Sequence, residues 1–210
     1  MSKSQTTQQE NFWKGKFGSD YIKRHETKKW VTNNKYFFQK CLKNLNKSKV
    51  QTLIEFGSNI GLNLMALNKI KKFKQISAVE INHEAHAQLS KLKYVNPINK
   101  SVLDYSPKKK YDLVLCKGFL IHINPNKLNR IYKKIYDSCK KNGHILICEY
   151  YSQNPISINY RGNKNVLFKR DFAGEILDKY SKTLLIDYGF VYRKDKFPQD
   201  DMNWFLIKKI

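Results

Sequence analysis

Apolar and polar positions along this chain follow two periods in turn, and their order predicts an α/β protein. Over residues 30–45, Trp30, Phe37, Phe38, Cys41 and Leu45 fall on one helical face. The preceding stretch, 11–27, is dense in aromatics and glycine but poorly periodic, so no element is assigned to it. A short apolar run at 52–56 predicts a buried strand, and the helix after it turns Leu62, Met65, Ala66 and Ile70 inward. A second strand covers 76–80, and Ala85, Leu89 and Leu92 mark another helix. Further strands are expected at 96–104, 111–116 and 144–151. Between the last two, Asn124, Pro125 and Asn126 start a helix striped by Leu128, Ile131, Tyr132, Ile135 and Cys139 and stopped by Gly143. Residues 152–170 read as irregular, basic and aromatic, and Asp171 caps a short helix to about Tyr180. Strands at 184–192 and 202–208 have no helix between them and should form an antiparallel hairpin. The sum is a three-layer α/β sandwich around a seven-stranded, mostly parallel sheet with a C-terminal antiparallel hairpin.

The glycine-bearing turn after the first strand sharpens this picture. Leu53 to Asn63 reads L-I-E-F-G-S-N-I-G-L-N: an apolar run ends in Glu55 and Phe56, then passes Gly57 and Gly61 into the helix. Glycines there let the backbone approach a ligand, and the first helical N–H groups favour an anionic group above the turn. The full G-x-G-x-x-G fingerprint is absent, because Asn59 stands at the second glycine's place. The second strand, however, ends in Glu80, near the ~20-residue spacing expected of an acid that holds ribose hydroxyls. A glycine turn and a ribose acid on a Rossmann-like sheet point to a nucleoside cofactor.

Length and composition change little else. The 210 residues, 41% of them hydrophobic, suffice for one domain with a sizeable core. No apolar run approaches the ~18 residues of a membrane span. Residues 1–11 are polar, so no secretory signal is expected and a cytoplasmic location is. Cys41, Cys116, Cys139 and Cys148 are scattered without a C-x-x-C pair, which favours buried thiols over disulfides or metal ligation. The net charge of +23 could indicate nucleic acid, but the lysines are spread over the predicted solvent faces, so a solvated surface is preferred and an anionic small substrate is compatible.

Together, E-F-G-S-N-I-G, V-E-I-N, an acid-ended third strand and a final hairpin resemble the class I S-adenosylmethionine-dependent methyltransferases. Further blocks are similar to the pseudaminic acid biosynthesis-associated methylases: F-W-K-G-K-F-G-S-D-Y-I-K-R, G-F-L-I-H-I-N-P, F-K-R-D-F-A-G at 168–174, and D-Y-G-F-V-Y-R followed by D-D-M-N-W-F-L. That resemblance spans essentially the whole chain. It implies a lid and helix over 1–45 packed on a methyltransferase domain at 46–210, in a single unit that modifies surface sugars.

The resemblance also assigns residues. Glu55, Gly57, Ser58, Asn59 and Gly61 would cradle the methionine end of S-adenosyl-L-methionine; Glu80 would hold the ribose. Ile81 and Asn82 would border the adenine, and Val102, Leu103 and Asp104 would lie against it. Lys117, Gly118 and Phe119 end the fourth strand, where open α/β sheets place their ligand crevice. His122 is the candidate general base, with a loop-orienting histidine as the alternative. Trp13 and Tyr21 would cover the cofactor, unless they simply cover the sheet. Arg24, Tyr160, Arg161, Lys169, Arg170 and Asp171 could read an acidic or nucleotide-linked sugar, or be solvated loop residues. Plain readings also stay open for Gly61, as helix–strand packing, and for Asp104, as a turn acid. A nucleic-acid methyltransferase and a cofactor-binding module without turnover are the alternatives. C-K-G-F-L-I-H stands where nucleic-acid adenine enzymes of the class carry N/D-P-P-Y/F, which argues against the first.

Overall fold

The computed structural model describes residues 6–24 and 27–210; the remainder of the 1–45 segment lies outside the described residues. Seven strands form one sheet: β1 (Thr52–Phe56), β2 (Gln75–Glu80), β3 (Val95–Asn99), β4 (Tyr111–Lys117), β5 (Cys139–Glu149), β8 (Thr183–Val191) and β9 (Met202–Lys209). Their order is β3-β2-β1-β4-β5-β9-β8, with β9 antiparallel to both β5 and β8 and the rest parallel. The architecture is the predicted one.

Strand alternation builds two cores. Leu53, Leu113, Leu115, Leu146 and Leu206 face α3 (Thr27–Cys41) and α4 (Leu62–Ile70), packing with Phe37, Phe38, Leu64 and Leu67. Ile54, Val114, Ile145, Ile147 and Ile207 face the other way, against Ile131, Tyr132 and Ile135 of α6 (Leu128–Ser138) and Ile176 of α7 (Phe172–Lys179). Helix α5 (His83–Leu89) follows β2. Because β1 leads towards one sheet edge and β4 towards the other, a crevice opens between their C-terminal ends.

Several elements depart from expectation. The aromatic stretch left unassigned, as far as residue 24, belongs to α1 (Gln8–Lys14) and α2 (Lys16–Ile22), broken at Gly15; residues 25–26 lie outside the described residues. Thr7 and Glu10 form a capping box at the start of α1, and that signature was readable. Strand β3 ends at Asn99, and Ser101 to Asp104 is a turn in which Asp104 and Tyr105 N–H donate to the Ser101 carbonyl. Helix α6 stops at Ser138 rather than Gly143, because Cys139 turns extended and pairs with Tyr111. The irregular stretch after β5 is a hairpin, β6 (Ile156–Tyr160) with β7 (Asn163–Lys169). Arg161 and Gly162 join them with φ of 52° and 80°, the two positive values of a type I′ turn.

Candidate functional site

A cavity of about 740 Å³ lies above the β1–β4 switch. Gly57, with φ of +72°, opens its floor; a Cβ there would stand 2.5 Å from the Phe119 ring. Gly57 and Ser58 N–H both donate to the Val79 carbonyl, at 2.9 and 3.2 Å, so the turn is tied to β2. Gly57, Ser58 and Asn59 line the cavity. Gly61 does not: a Cβ there would meet Leu89 and Leu92 at 2.7 and 2.8 Å, so its φ of +82° serves the seating of α4 on α5. Glu55 is also displaced from its expected place. It is fully buried behind the turn, where Oε1 accepts from Asn63 Nδ2 at 2.6 Å. Burial pushes its carboxyl up to about 8.

Glu80 ends β2 facing the cavity. Its Oε2 accepts from Asn59 N–H and its Oε1 from Asn82 N–H, each at 2.7 Å, so the carboxylate clasps the loops after β1 and β2 together. Burial raises its pKa against the pull of those N–H groups. Each oxygen keeps a second lone pair for a ligand hydroxyl. Ile81 and Asn82 line the cavity beside it. Asn82 Oδ1 caps α5 through Ala85 N–H at 2.9 Å, while its Nδ2 donates to the Trp13 carbonyl at 3.1 Å. Gly18 makes that approach feasible, since a Cβ would fall 2.9 Å from Asn82 Nδ2.

Val102 and Leu103 supply apolar wall from the turn after β3. Asp104, expected beside them, is exposed and outside the lining because the chain has already turned away. Lys117, Gly118 and Phe119 line the β4 end. The turn that follows is held by a residue that sequence reasoning missed: Glu149, ending β5, accepts from Phe119 and Leu120 N–H at 3.0 and 2.8 Å. Burial pushes it up to about 7. An acid closing an apolar strand was its only signal.

His122 also lines the cavity. Its Nδ1 lies 2.7 Å from the Val166 carbonyl, which fixes the proton on Nδ1 and leaves the Nε2 lone pair free. Burial lowers its pKa to about 4, so the ring is neutral. Its centroid sits 4.5 Å from Trp13 and 5.4 Å from Tyr160, and Trp13 meets Tyr21 at 5.2 Å. Helices α1 and α2 and the β6–β7 hairpin thus close over the cavity with one aromatic cluster.

Arg24, Tyr160, Arg161 and Lys169 line this outer part. Arg170 and Asp171 do not: Arg170 Nε pairs with Glu175 at 2.5 Å, and Asp171 caps α7 through Gly174 N–H at 2.8 Å. A relay also escaped the sequence reading. Gln199 Nε2 donates to Asn34 Oδ1 at 3.2 Å, Asn34 Nδ2 to Asn63 Oδ1 at 2.9 Å, and Asn63 on to Glu55. Its members come from four separate elements, so no local pattern marks them.

Among the described residues, no cluster of His, Cys, Asp or Glu could hold a metal, and no helix is long and apolar enough to cross a membrane. A nucleoside bearing an amino-acid tail fits the arrangement. The turn at Gly57 leaves room for backbone approach, and the buried Asn59 Oδ1 and Trp13 Nε1 on the cavity wall lack partners among the described residues.

A family described as methyltransferase domain matches residues 23–184. No curated protein matches the sequence. Among solved structures, the chain is similar to an S-adenosylmethionine-dependent methyltransferase from Leishmania major, at TM-score 0.70 and 14% identity over 97% of this chain and 86% of the other. It is similar to a Burkholderia thailandensis 1,6-didemethyltoxoflavin N1-methyltransferase with its substrate and S-adenosylhomocysteine, at 0.65 and 13% over 91% and 82%. A glycopeptide N-methyltransferase complexed with S-adenosylmethionine gives 0.63 and 11% over 85% and 94%.

Proposed function

Since the chain belongs to the methyltransferase domain family, we propose that it moves a methyl group from S-adenosyl-L-methionine to an oxygen or nitrogen of a small, sugar-derived acceptor in surface-glycan synthesis. The observation that carries the cofactor part is the pairing of an open glycine turn with Glu80 on one cavity. Support for the sugar acceptor comes from the blocks resembling the pseudaminic acid-associated methylases. The small-molecule and glycopeptide methyltransferases of the same fold are compatible with an acceptor of that size.

The cofactor, when bound, supplies a methyl group on a cationic sulfur. Everything else falls to the chain. Glu80 would accept from the ribose hydroxyls while its two backbone N–H bonds hold it rigid. Ile81, Val102 and Leu103 would bracket the adenine, and the backbone at Gly57 to Asn59 would carry the amino-acid end. Trp13 and Tyr21, on α1 and α2, would act as a lid that excludes water and offers aromatic faces to a cation, with α3 packed on the core behind them.

His122 would take the proton released from the acceptor, through Nε2. The Nδ1–H bond to Val166 fixes the tautomer this requires. At about 4 its basicity is low, so positioning supplies most of the acceleration and the imidazole acts only as the proton leaves.

Calorimetry with S-adenosylmethionine is the test: micromolar binding is expected, and absence of binding overturns the proposal. A His122→Ala variant that binds cofactor and keeps its turnover would remove the base role. Retained binding of duplex DNA at physiological salt would favour a nucleic-acid acceptor instead.

A further inference from the structure

Three cations on the outer wall of the cavity share one arrangement. Each lies over an aromatic ring, and none has an ion-pair partner among the described residues. The Arg24 guanidinium is 4.9 Å from the Phe17 centroid, Arg161 is 5.7 Å from Tyr160, and the Lys169 ammonium is 5.1 Å from Tyr150. The rings are themselves joined, Phe17 to Tyr160 at 5.9 Å. Other cations are paired: Arg170 holds Glu175, and on the same cavity Arg193 holds Asp201 at 2.7 Å. In a chain with only 17 acidic side chains, leaving surface lysines unpaired says little. These three, by contrast, stand together on the outer wall of one cavity, as Lys117 stands over Phe37 at its buried end.

They also converge. The charges of Arg24 and Arg161 both reach the Tyr21 hydroxyl, as does that of Asp200, and Asp200 acts on Tyr150 too. All of these residues line the same cavity. An aromatic face orients a guanidinium without neutralising it, so its N–H groups stay available to an incoming anion. A carboxylate partner would instead have consumed them. Among the acids lining the cavity, Asp200 is exposed and can accept from hydroxyl groups.

We propose that Arg24, Arg161 and Lys169 form an anion subsite that holds an acidic group on the methyl acceptor, with Asp200 taking its hydroxyls. The ligand class is a hydroxylated small molecule bearing a carboxylate or phosphate. This rests on the methyltransferase reading for its occupant, but not for its existence.

The test uses the full chain. S-adenosylhomocysteine is titrated first by calorimetry; failure at this step overturns the methyltransferase reading, not the subsite. Glucuronate, glucose 1-phosphate, uridine diphosphate glucose and glucose are then titrated into the protein, with and without that compound. The first probe reports a carboxylate, the second a phosphate, the third a diphosphate, and the last is neutral. At least one charged probe should bind tenfold or more tightly than glucose, and a rise in salt should weaken it. An Arg24→Gln/Arg161→Gln variant, both sites being exposed, should keep its melting temperature and lose at least tenfold in that affinity. Equal binding of charged and neutral probes, an unaffected double variant, or polyuridylate binding more tightly than every sugar would each overturn the subsite.

Discussion

The ring of Trp13 lies 4.5 Å, centroid to centroid, from that of His122, so the first helix and the turn after β4 share a wall although 109 positions of chain would suggest no relation. The pair joins the cover of the cavity to the residue proposed to receive the acceptor's proton. Aromatic contacts of this kind contribute about 0.5–1.5 kcal/mol beyond burial. A double-mutant cycle on Trp13→Ala and His122→Ala, read by urea unfolding, should return a coupling energy of that size. Strict additivity would mean the two rings merely lie side by side.

Glu80 is expected to matter twice. Removing its carboxylate leaves Asn59 and Asn82 N–H without their acceptor, at about 1–3 kcal/mol for each buried group. Glu80→Ala should therefore lower the melting temperature and weaken S-adenosylhomocysteine at least tenfold in calorimetry. A variant with unchanged affinity would contradict the ribose contact.

Stability should fall with rising pH because of Glu55. Its carboxyl is raised from 4.5 to about 8, so the folded chain holds a proton that the unfolded chain has released between those values. The stabilisation is complete below about 4.5 and is lost on approaching 8. Glu55→Gln removes this ionisation, and its unfolding free energy should decline less over that window, by on the order of a few kcal/mol. Glu149, raised to about 7, leaves a smaller decline in both proteins. Parallel slopes for the two chains would show that Glu55 is not protonated in the fold.

Gly57→Ala should destabilise by about 1–3 kcal/mol, since a side chain at φ of +72° is strained and its Cβ would press on Phe119. Pairing it with Phe119→Ala should recover the steric part only, leaving the backbone part. Full recovery in denaturant unfolding would show that the dihedral carries no cost.

What the sequence made legible is what repeats. The sheet, its hairpin end, α4 to α7 and the pair Gly57 and Glu80 follow from apolar period and turn chemistry, which are local. The misses have a common physical cause. Asp104 lies in the turn after β3, whose end at Asn99 is set by pairing and not by composition, and Gly61 is taken up by the packing of α4 on Leu89 and Leu92. Glu55 reads as a strand-ending acid at the cofactor's methionine end but is withdrawn by Asn63, eight positions on. The β6–β7 hairpin hides because an arginine takes the first left-handed position of its turn, where Asn or Asp is the usual signal. Lys169 and Arg170 are neighbours in sequence, yet only Lys169 faces the cavity, because Glu175 of α7 draws Arg170 aside.

Asn82 gives one amide to two tasks, ending α5's exposed donors and fastening the carbonyl of Trp13. The two tasks fall to different atoms, so a flap let go by Nδ2 leaves Oδ1 on Ala85 N–H and the helix still capped. Hinge and latch are thereby separable within one side chain. Asn82→Asp keeps the cap and gives up the latch: limited proteolysis within residues 6–24 should speed up while hydrogen exchange in α5 stays slow, and unchanged cleavage would mean that the latch carries nothing.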